Sequence, residues 1–208
     1  MSASRTNILQ KIKQALQQKV PVPFSVTAPE QLYPAAANDL SVVFAEKFSS
    51  LQGRFTYCAS VADRAKQLNG LLATRGWQKL YCPDRVIRQE LAKQNLSLDY
   101  TDDLSHCDVA ITACEYLVAR TGSFFLSSAD PSGRLGSVYA PVHICFAHAG
   151  QLVHDMDEAL LLLREKYTDH LPSLISLATG PSRTADIEKT LVVGVHGPKE
   201  VFCFFLDN

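Results

Sequence analysis

Apolar residues recur along this chain in two rhythms, one of period near 3.6 and one of nearly unbroken short runs. In residues 5–19, Ile8, Leu9, Ile12, Ala15 and Leu16 fall on one stripe, which predicts an amphipathic helix that Val20-Pro21-Val22-Pro23 stops. Asp39 is placed to cap a second helix over 40–51, with Val42, Val43, Phe48 and Leu51 as its contacts. From residue 54 onward the two rhythms alternate. Arg54–Ala59 reads as a strand, and Ser60 caps a helix over 61–75 with Ala62, Ala65, Leu68, Leu72 and Ala73 inward, ended by Gly76. Strand 77–82, helix 84–94 and strand 108–114 follow, then β-rich segments at 116–119 and 123–127. Strand 142–147 precedes a helix over 155–167 with Met156, Ala159, Leu160, Leu163 and Tyr167 inward, and strands 174–178 and 201–206 close the chain.

Alternating strands and helices, with strands apolar on both faces, predict an α/β sandwich around a mostly parallel central sheet. The domain expected to carry it runs over 39–208, preceded by a helical arm and Pro-rich linker at 1–38; four prolines and an alanine run leave 20–38 little to pack. Lys and Arg number 20 against 21 Asp and Glu, so no broad nucleic-acid-binding or anionic-membrane surface is expected. No apolar run reaches the roughly 18 residues of a membrane span, and the amino terminus lacks a signal peptide's apolar core, so a cytoplasmic protein is expected. The six cysteines (58, 82, 107, 114, 145 and 203) form no C-x-x-C pair and no zinc-spaced cluster, and they read as buried free thiols. No metal site and no iron–sulfur ligand set is expected.

Chemistry-bearing residues gather in three loops. Ala119-Arg120-Thr121-Gly122-Ser123 is the first, and Ser127–Arg134, which contains Pro131-Ser132-Gly133-Arg134, is the second. The third is the densest: Gly180-Pro181-Ser182-Arg183-Thr184-Ala185-Asp186-Ile187-Glu188, followed by Gly194-Val195-His196-Gly197-Pro198. In each a glycine stands beside a hydroxyl, with an arginine close by, the groups that an oxyanion or phosphate requires. Thr184 fits an N-cap for a short helix over 185–190 with Asp186 in its first turn, and a helix start of that kind receives anions. Since ligands of open α/β sheets sit beyond the carboxyl ends of the strands, all three loops are expected there.

Each candidate has two readings. Arg183 either meets a ligand or pairs with Asp186 or Glu188. His196 is either a general acid/base, its unperturbed pKa being ~6.5, or a loop-fixing hydrogen-bond partner. Glu115, at a strand's carboxyl end, is the other catalytic candidate; its neighbour Cys114 would point to the opposite face of a continuing strand. His143, at a strand start after Pro141, reads as structural, and His106, His148, His154 and His170 as solvent-facing. No nucleophile elbow, Walker loop or dinucleotide fingerprint is present.

Thr121-Gly122-Ser123, GPSRTADIE at 180–188 and GVHGPKE at 194–200 together resemble the LUD-domain family, of the lactate-utilisation C-subunit (YkgG) type, over about residues 105–206. The resemblance implies a fold like that of the sugar-phosphate isomerase and coenzyme-A transferase superfamily (NagB/RpiA/CoA-transferase-like). It also implies a place in a system that oxidises L-lactate to pyruvate beside iron–sulfur-cluster subunits, with this chain as the cluster-free member. Ligand-binding positions carried over are Thr121, Gly122, Ser123, Gly180, Pro181, Ser182, Arg183, Thr184, Asp186, His196 and Gly197, with Arg134 and His143 in comparable places. Family members usually carry an acidic residue where Arg120 stands, and the stretch 127–140 differs from theirs. The expected function is binding of a small carboxylate or phosphate-bearing ligand at loops 119–134 and 180–198 within that system; no cofactor is assigned. A non-catalytic assembly module, or a stand-alone isomerase or hydrolase using Glu115 or His196, are the alternatives.

Overall fold

The computed structural model describes residues 3–17, 39–168, 170–187 and 190–207, with side chains outside 185–191. The chain divides into two units, residues 1–35 and 36–208. Helix α1 (Ala3–Gln17) is the described part of the first, and that part contains no second element to cover Ile8, Leu9, Ile12 and Leu16. The expected linker at 20–38 lies outside the described residues.

The second unit begins with α2 (Leu40–Ser50), whose first turn is held by the Asp39 carboxylate accepting from Ser41 N–H. Strand β1 (Arg54–Cys58) leads into α3 (Val61–Arg75), capped by Ser60 Oγ on Asp63 N–H and closed by Gly76. Next come β2 (Lys79–Tyr81), α4 (Arg85–Lys93), β3 (Asp99–Tyr100) and, after a 3-10 turn at Leu104–His106, β4 (Val109–Thr112). The chain then forms β5 (Tyr116–Val118), β6 (Ser123–Ser127) and the one-turn helix α5 (Gly136–Tyr139) before β7 (Val142–His148). Strand β8 (Leu152–Val153), α6 (Met156–Lys166), β9 (Ile175–Ala178), the hairpin of β10 (Arg183–Ile187) and β11 (Thr190–Val193), and β12 (Glu200–Leu206) complete it.

The central sheet has six strands in the order β1-β12-β7-β4-β2-β3, every neighbouring pair parallel. Period-two alternation splits it into two faces. Val142, Ile144, Phe146, Phe202, Phe204 and Leu206 meet Leu68 and Leu72 of α3 and Ile87 and Leu91 of α4 on one face. Cys145, Ala147, Val201, Cys203 and Phe205 meet Phe44 and Phe48 of α2 and Leu117, Phe124 and Leu126 of a second sheet on the other. That second, mixed sheet runs β8-β5-β6-β9, and its far side is closed by Ala159 and Leu163 of α6. An α/β sandwich around a mostly parallel sheet is therefore present, with a second sheet as one of its covering layers. All six cysteines are free and buried, and burial pushes the Cys145 and Cys203 thiols well above their ordinary range.

One expected element is corrected. Where a helix over 185–190 was expected, 185–187 and 190 lie in strands: Arg183 pairs with Val193 and Thr184 with Val192, antiparallel. Thr184, Ile187, Thr190, Val192 and Val193 are β-branched, which favours extended backbone, and strand pairing outweighs the capping potential of Thr184. No helix among the described residues is long and apolar enough to cross a membrane.

Candidate functional site

The loops before β10 and before β12 grip each other through main-chain hydrogen bonds. Ser182 N–H donates to Pro198 O at 2.9 Å, and Gly194 N–H donates to Ser182 O at 2.9 Å. The fit is close: a Cβ on Gly197 would stand 2.9 Å from Ser182 Cβ. Lys199 N–H donates to Pro141 O at 2.8 Å, which ties this clasp to the residue preceding β7. Pro141 and Lys199 immediately precede β7 and β12, so the clasp stands at the amino ends of these parallel strands. The expected position beyond the carboxyl ends is corrected accordingly. The hairpin also removes the helix N-terminus expected to receive an anion, and the Ser182 and Gly194 amides are already committed to carbonyls.

The clasp instead walls two adjoining cavities that share Val138, His196 and Gly197. The larger, about 910 Å³, is bounded by Leu104, Leu135, Val138, Tyr139, Pro141 and Val195, with Lys199 and His196 as its basic side chains. The smaller, about 270 Å³, lies among Thr179–Ser182, His196–Pro198 and Val201, and reaches His143. His196 and Lys199 are exposed, whereas His143 is buried between the two sheets. His143 Nε2 lies 2.8 Å from Thr112 Oγ1 across the β4–β7 pair. Burial pulls the His143 pKa down to about 4, so its ring is neutral near pH 7. Mostly apolar walls with a few polar groups at defined points suit a small organic ligand.

The remaining candidates are placed elsewhere. Gly122, at φ +62°, stands so close to α2 that a Cβ would lie 2.7 Å from Phe48 N, and Thr121 Oγ1 is buried with no hydrogen-bond partner among the described residues. Ser123 is fully buried, its Oγ 2.8 Å from Thr179 Oγ1. Arg120 makes a two-pronged contact with Asp155, the N-cap of α6, at 2.8 and 2.7 Å. Thus the Arg120 charge next to the T-G pair is met by a carboxylate within the fold. Gly180, at φ +69°, packs on the end of α2, where a Cβ would lie 2.7 Å from Leu51 O. Arg183 lines neither cavity, and its Nη2 donates to the same Leu51 O at 3.1 Å. Thr184 is half-buried in β10, and Asp186 is placed by its backbone alone.

Arg134 is exposed and lines a separate cavity of about 400 Å³ with Tyr81, Ser132 and Ser173. Ser132 Oγ there accepts from Ala113 N–H at 2.8 Å, which ties this second loop to the residue following β4. Glu115 is buried, and Lys166 Nζ and Tyr167 Oη each donate to it at 2.7 Å, with Ser127 Oγ as a third donor. Burial raises its pKa, but these hydrogen bonds outweigh that and hold the carboxyl below its usual range. Of the solvent-facing histidines, His106, His148 and His170 are exposed and His154 is half-buried.

Sequence reasoning gave no role to Lys199, although it stands inside the GVHGPKE run, and none to Thr112 or Val138. Thr112 carried no local signal, since its partner is 31 residues away. Lys199 could have been found from its place directly after Pro198, where the chain must turn into a buried strand.

A LUD-domain profile matches residues 71–206, more than half the chain. Lactate utilization protein C of Bacillus licheniformis is 37% identical over 93 residues, covering 44% of this chain and 39% of that protein. The protein of the same name from Halalkalibacterium halodurans is 39% identical over 93 residues, covering 44% and 40%. That from Geobacillus sp. is 33% identical over 128 residues, covering 55% and 52%. The matched region thus spans about two fifths to one half of these relatives' lengths. Among solved structures, a DUF162 family protein from Deinococcus radiodurans shares the fold, with a TM-score of 0.62 at 17% identity over 83% of this chain and 99% of that one.

Proposed function

The chain belongs to the LUD-domain family, and from that premise we propose that it serves lactate utilisation by binding a small carboxylate in the clasped cleft. The observation that carries the reading is the interlock of Ser182 with Gly194 and Pro198, which builds a fixed wall from the family's GPSR and HGP runs. His196 and Lys199 line the larger cavity and are exposed, so an anionic head group beside them remains partly hydrated and their attraction costs little desolvation. The name shared by the bacterial relatives supplies the ligand class, a short hydroxy or oxo acid. In this reading the chain holds the acid, while iron–sulfur-cluster partner subunits accept the two electrons released when lactate becomes pyruvate.

The test pairs a binding measurement with growth. L-Lactate, pyruvate and inorganic phosphate are titrated into the full chain by calorimetry, and the His196→Ala/Lys199→Ala variant is expected to weaken carboxylate binding at least fivefold. The same variant is expected not to restore growth on L-lactate to cells lacking the gene, where the wild-type chain does. Absence of carboxylate binding by the wild-type chain overturns the reading, as does full rescue by the variant.

A further inference from the structure

The smaller cavity ends on a histidine with one ring nitrogen to spare. His143 is 1% exposed and lies edge-on to Phe124, with ring centroids 6.3 Å apart. Its contact with Thr112 Oγ1 is the one side-chain hydrogen bond that either group makes among the described residues. Thr112 is likewise 1% exposed, and which of the two groups donates depends on which ring nitrogen holds the proton. A proton on Nε2 would leave the Thr112 hydroxyl hydrogen with no acceptor among the described residues, whereas a proton on Nδ1 belongs to a ring that lines a cavity, so Thr112 O–H donates and Nε2 accepts. Held neutral by burial, the ring then carries its single proton on Nδ1. An N–H donor with no hydrogen-bond partner among the described residues thus belongs to a side chain that lines the cavity.

Resting on the carboxylate-binding reading above, we propose that His143 Nδ1–H donates to the 2-oxygen of a short 2-hydroxy or 2-oxo acid whose carboxylate points outward to His196, toward the adjoining cavity that Lys199 lines. The orientation follows from desolvation. Ala178 and Val201 line the cavity with His143, which is buried with its ring edge-on to Phe124, and a carboxylate drawn in to that ring would lose hydration with only a neutral donor to offset it. An uncharged keto or hydroxyl oxygen needs only one donor there. About 270 Å³ falls just below the roughly 300–1,000 Å³ of drug-sized sites, which suits an acid of a few carbons. The site therefore distinguishes acids by the oxygen next to the carboxylate.

Propionate, which keeps the carboxylate and lacks that oxygen, separates this proposal from the reading beneath it. Calorimetry on the full chain is expected to show pyruvate and L-lactate binding at least tenfold more tightly than propionate, and His143→Gln to remove most of that preference while propionate binding stays the same. In the wild-type chain, nitrogen-detected NMR is expected to show the proton on Nδ1 and that resonance moving with pyruvate. Thr112→Val, which keeps the shape but removes the hydroxyl, is expected to release the tautomer and reduce the preference. Propionate binding as tightly as lactate, or an Nε2–H ring, overturns the His143 assignment and leaves carboxylate binding standing. Failure of all three acids to bind overturns both.

Discussion

Glu115 and His143 are both buried titratable side chains that touch the mixed sheet's surroundings, yet the structure treats them in opposite ways. Glu115 lies beside α6 with donors from Ser127, Lys166 and Tyr167 gathered on its two oxygens. His143 lies between the two sheets, with one hydrogen bond to Thr112 and a cavity beside it. One group is charged and accepts three hydrogen bonds, the other is neutral and makes one among the described residues. A carboxylate at a strand end looks more like catalytic machinery in a sequence than a histidine within an apolar run. The comparison teaches that the count of unmet hydrogen bonds, rather than the residue type, separates an anchor from a group available to a ligand.

The sharpest way to break this contrast is Glu115→Ala. It leaves Tyr167, Ser127 and Lys166 without their common acceptor, although Lys166, half exposed, turns to water. Charge-assisted hydrogen bonds contribute about 1.5–3 kcal/mol each, so after that resolvation the loss is roughly 4 kcal/mol in urea denaturation at neutral pH. Affinity for pyruvate in the fraction that stays folded is expected to be unchanged. A mild stability effect with a large affinity loss would reverse the roles assigned to the two regions.

A second, somewhat smaller effect is expected from acid. The folded pKa of His143, about 4, lies below its unfolded value near 6.5, so the unfolded chain binds more protons between those limits. The stability that neutral His143 supports is fully present above pH 6.5 and is lost as the pH falls toward 4, on the order of 3 kcal/mol. Glu115 is also depressed, and its contribution is present above the unfolded carboxylate value near 4.3 and lost only as the pH falls through its lower folded value. The two regions therefore fail in succession on acidification. Stability followed from pH 7 to 4 should drop steeply in the wild-type chain and much less in His143→Gln. Parallel curves would place the loss elsewhere.

The architecture was legible in the sequence because its cues are local. Asp39 and Ser60 cap the helices that they precede, as expected, and buried strands such as Val142–His148 are apolar on both faces; Asp84 and Asp155, expected inside their helices, cap them instead. The candidate site was legible only in part. GPSR and HGP do meet, but Gly122 serves the approach to α2, and Arg183 serves the carbonyl at its end. A glycine beside a hydroxyl has the same composition whether the missing Cβ makes room for a ligand or for a helix. The Thr112–His143 pair depends on the register of β4 against β7, which no local pattern reveals. The hairpin at Arg183–Val193 failed for the opposite reason: a good cap residue, Thr184, was followed by a segment whose β-branched residues pair as strands.

The smallest effect expected belongs to Arg134, which tests whether the cleft ends where its walls do. Arg134 has no hydrogen bond or ion pair among the described residues and is exposed, so Arg134→Ala should change stability by no more than about 0.5 kcal/mol. Its cavity and the larger cavity of the clasp both border Leu135, but they lie on different loops, one tied to the end of β4 and the other to the starts of β7 and β12. An exposed guanidinium that lines neither cavity of the clasp is screened by salt and adds little attraction for a carboxylate held at His196 and Lys199. Pyruvate affinity in Arg134→Ala should then match wild type at 0.15 M salt. A loss of threefold or more would mean that the two loops close on one ligand around Leu135, which would make the acid-binding cleft larger than its clasped half and extend the ligand class to longer acids.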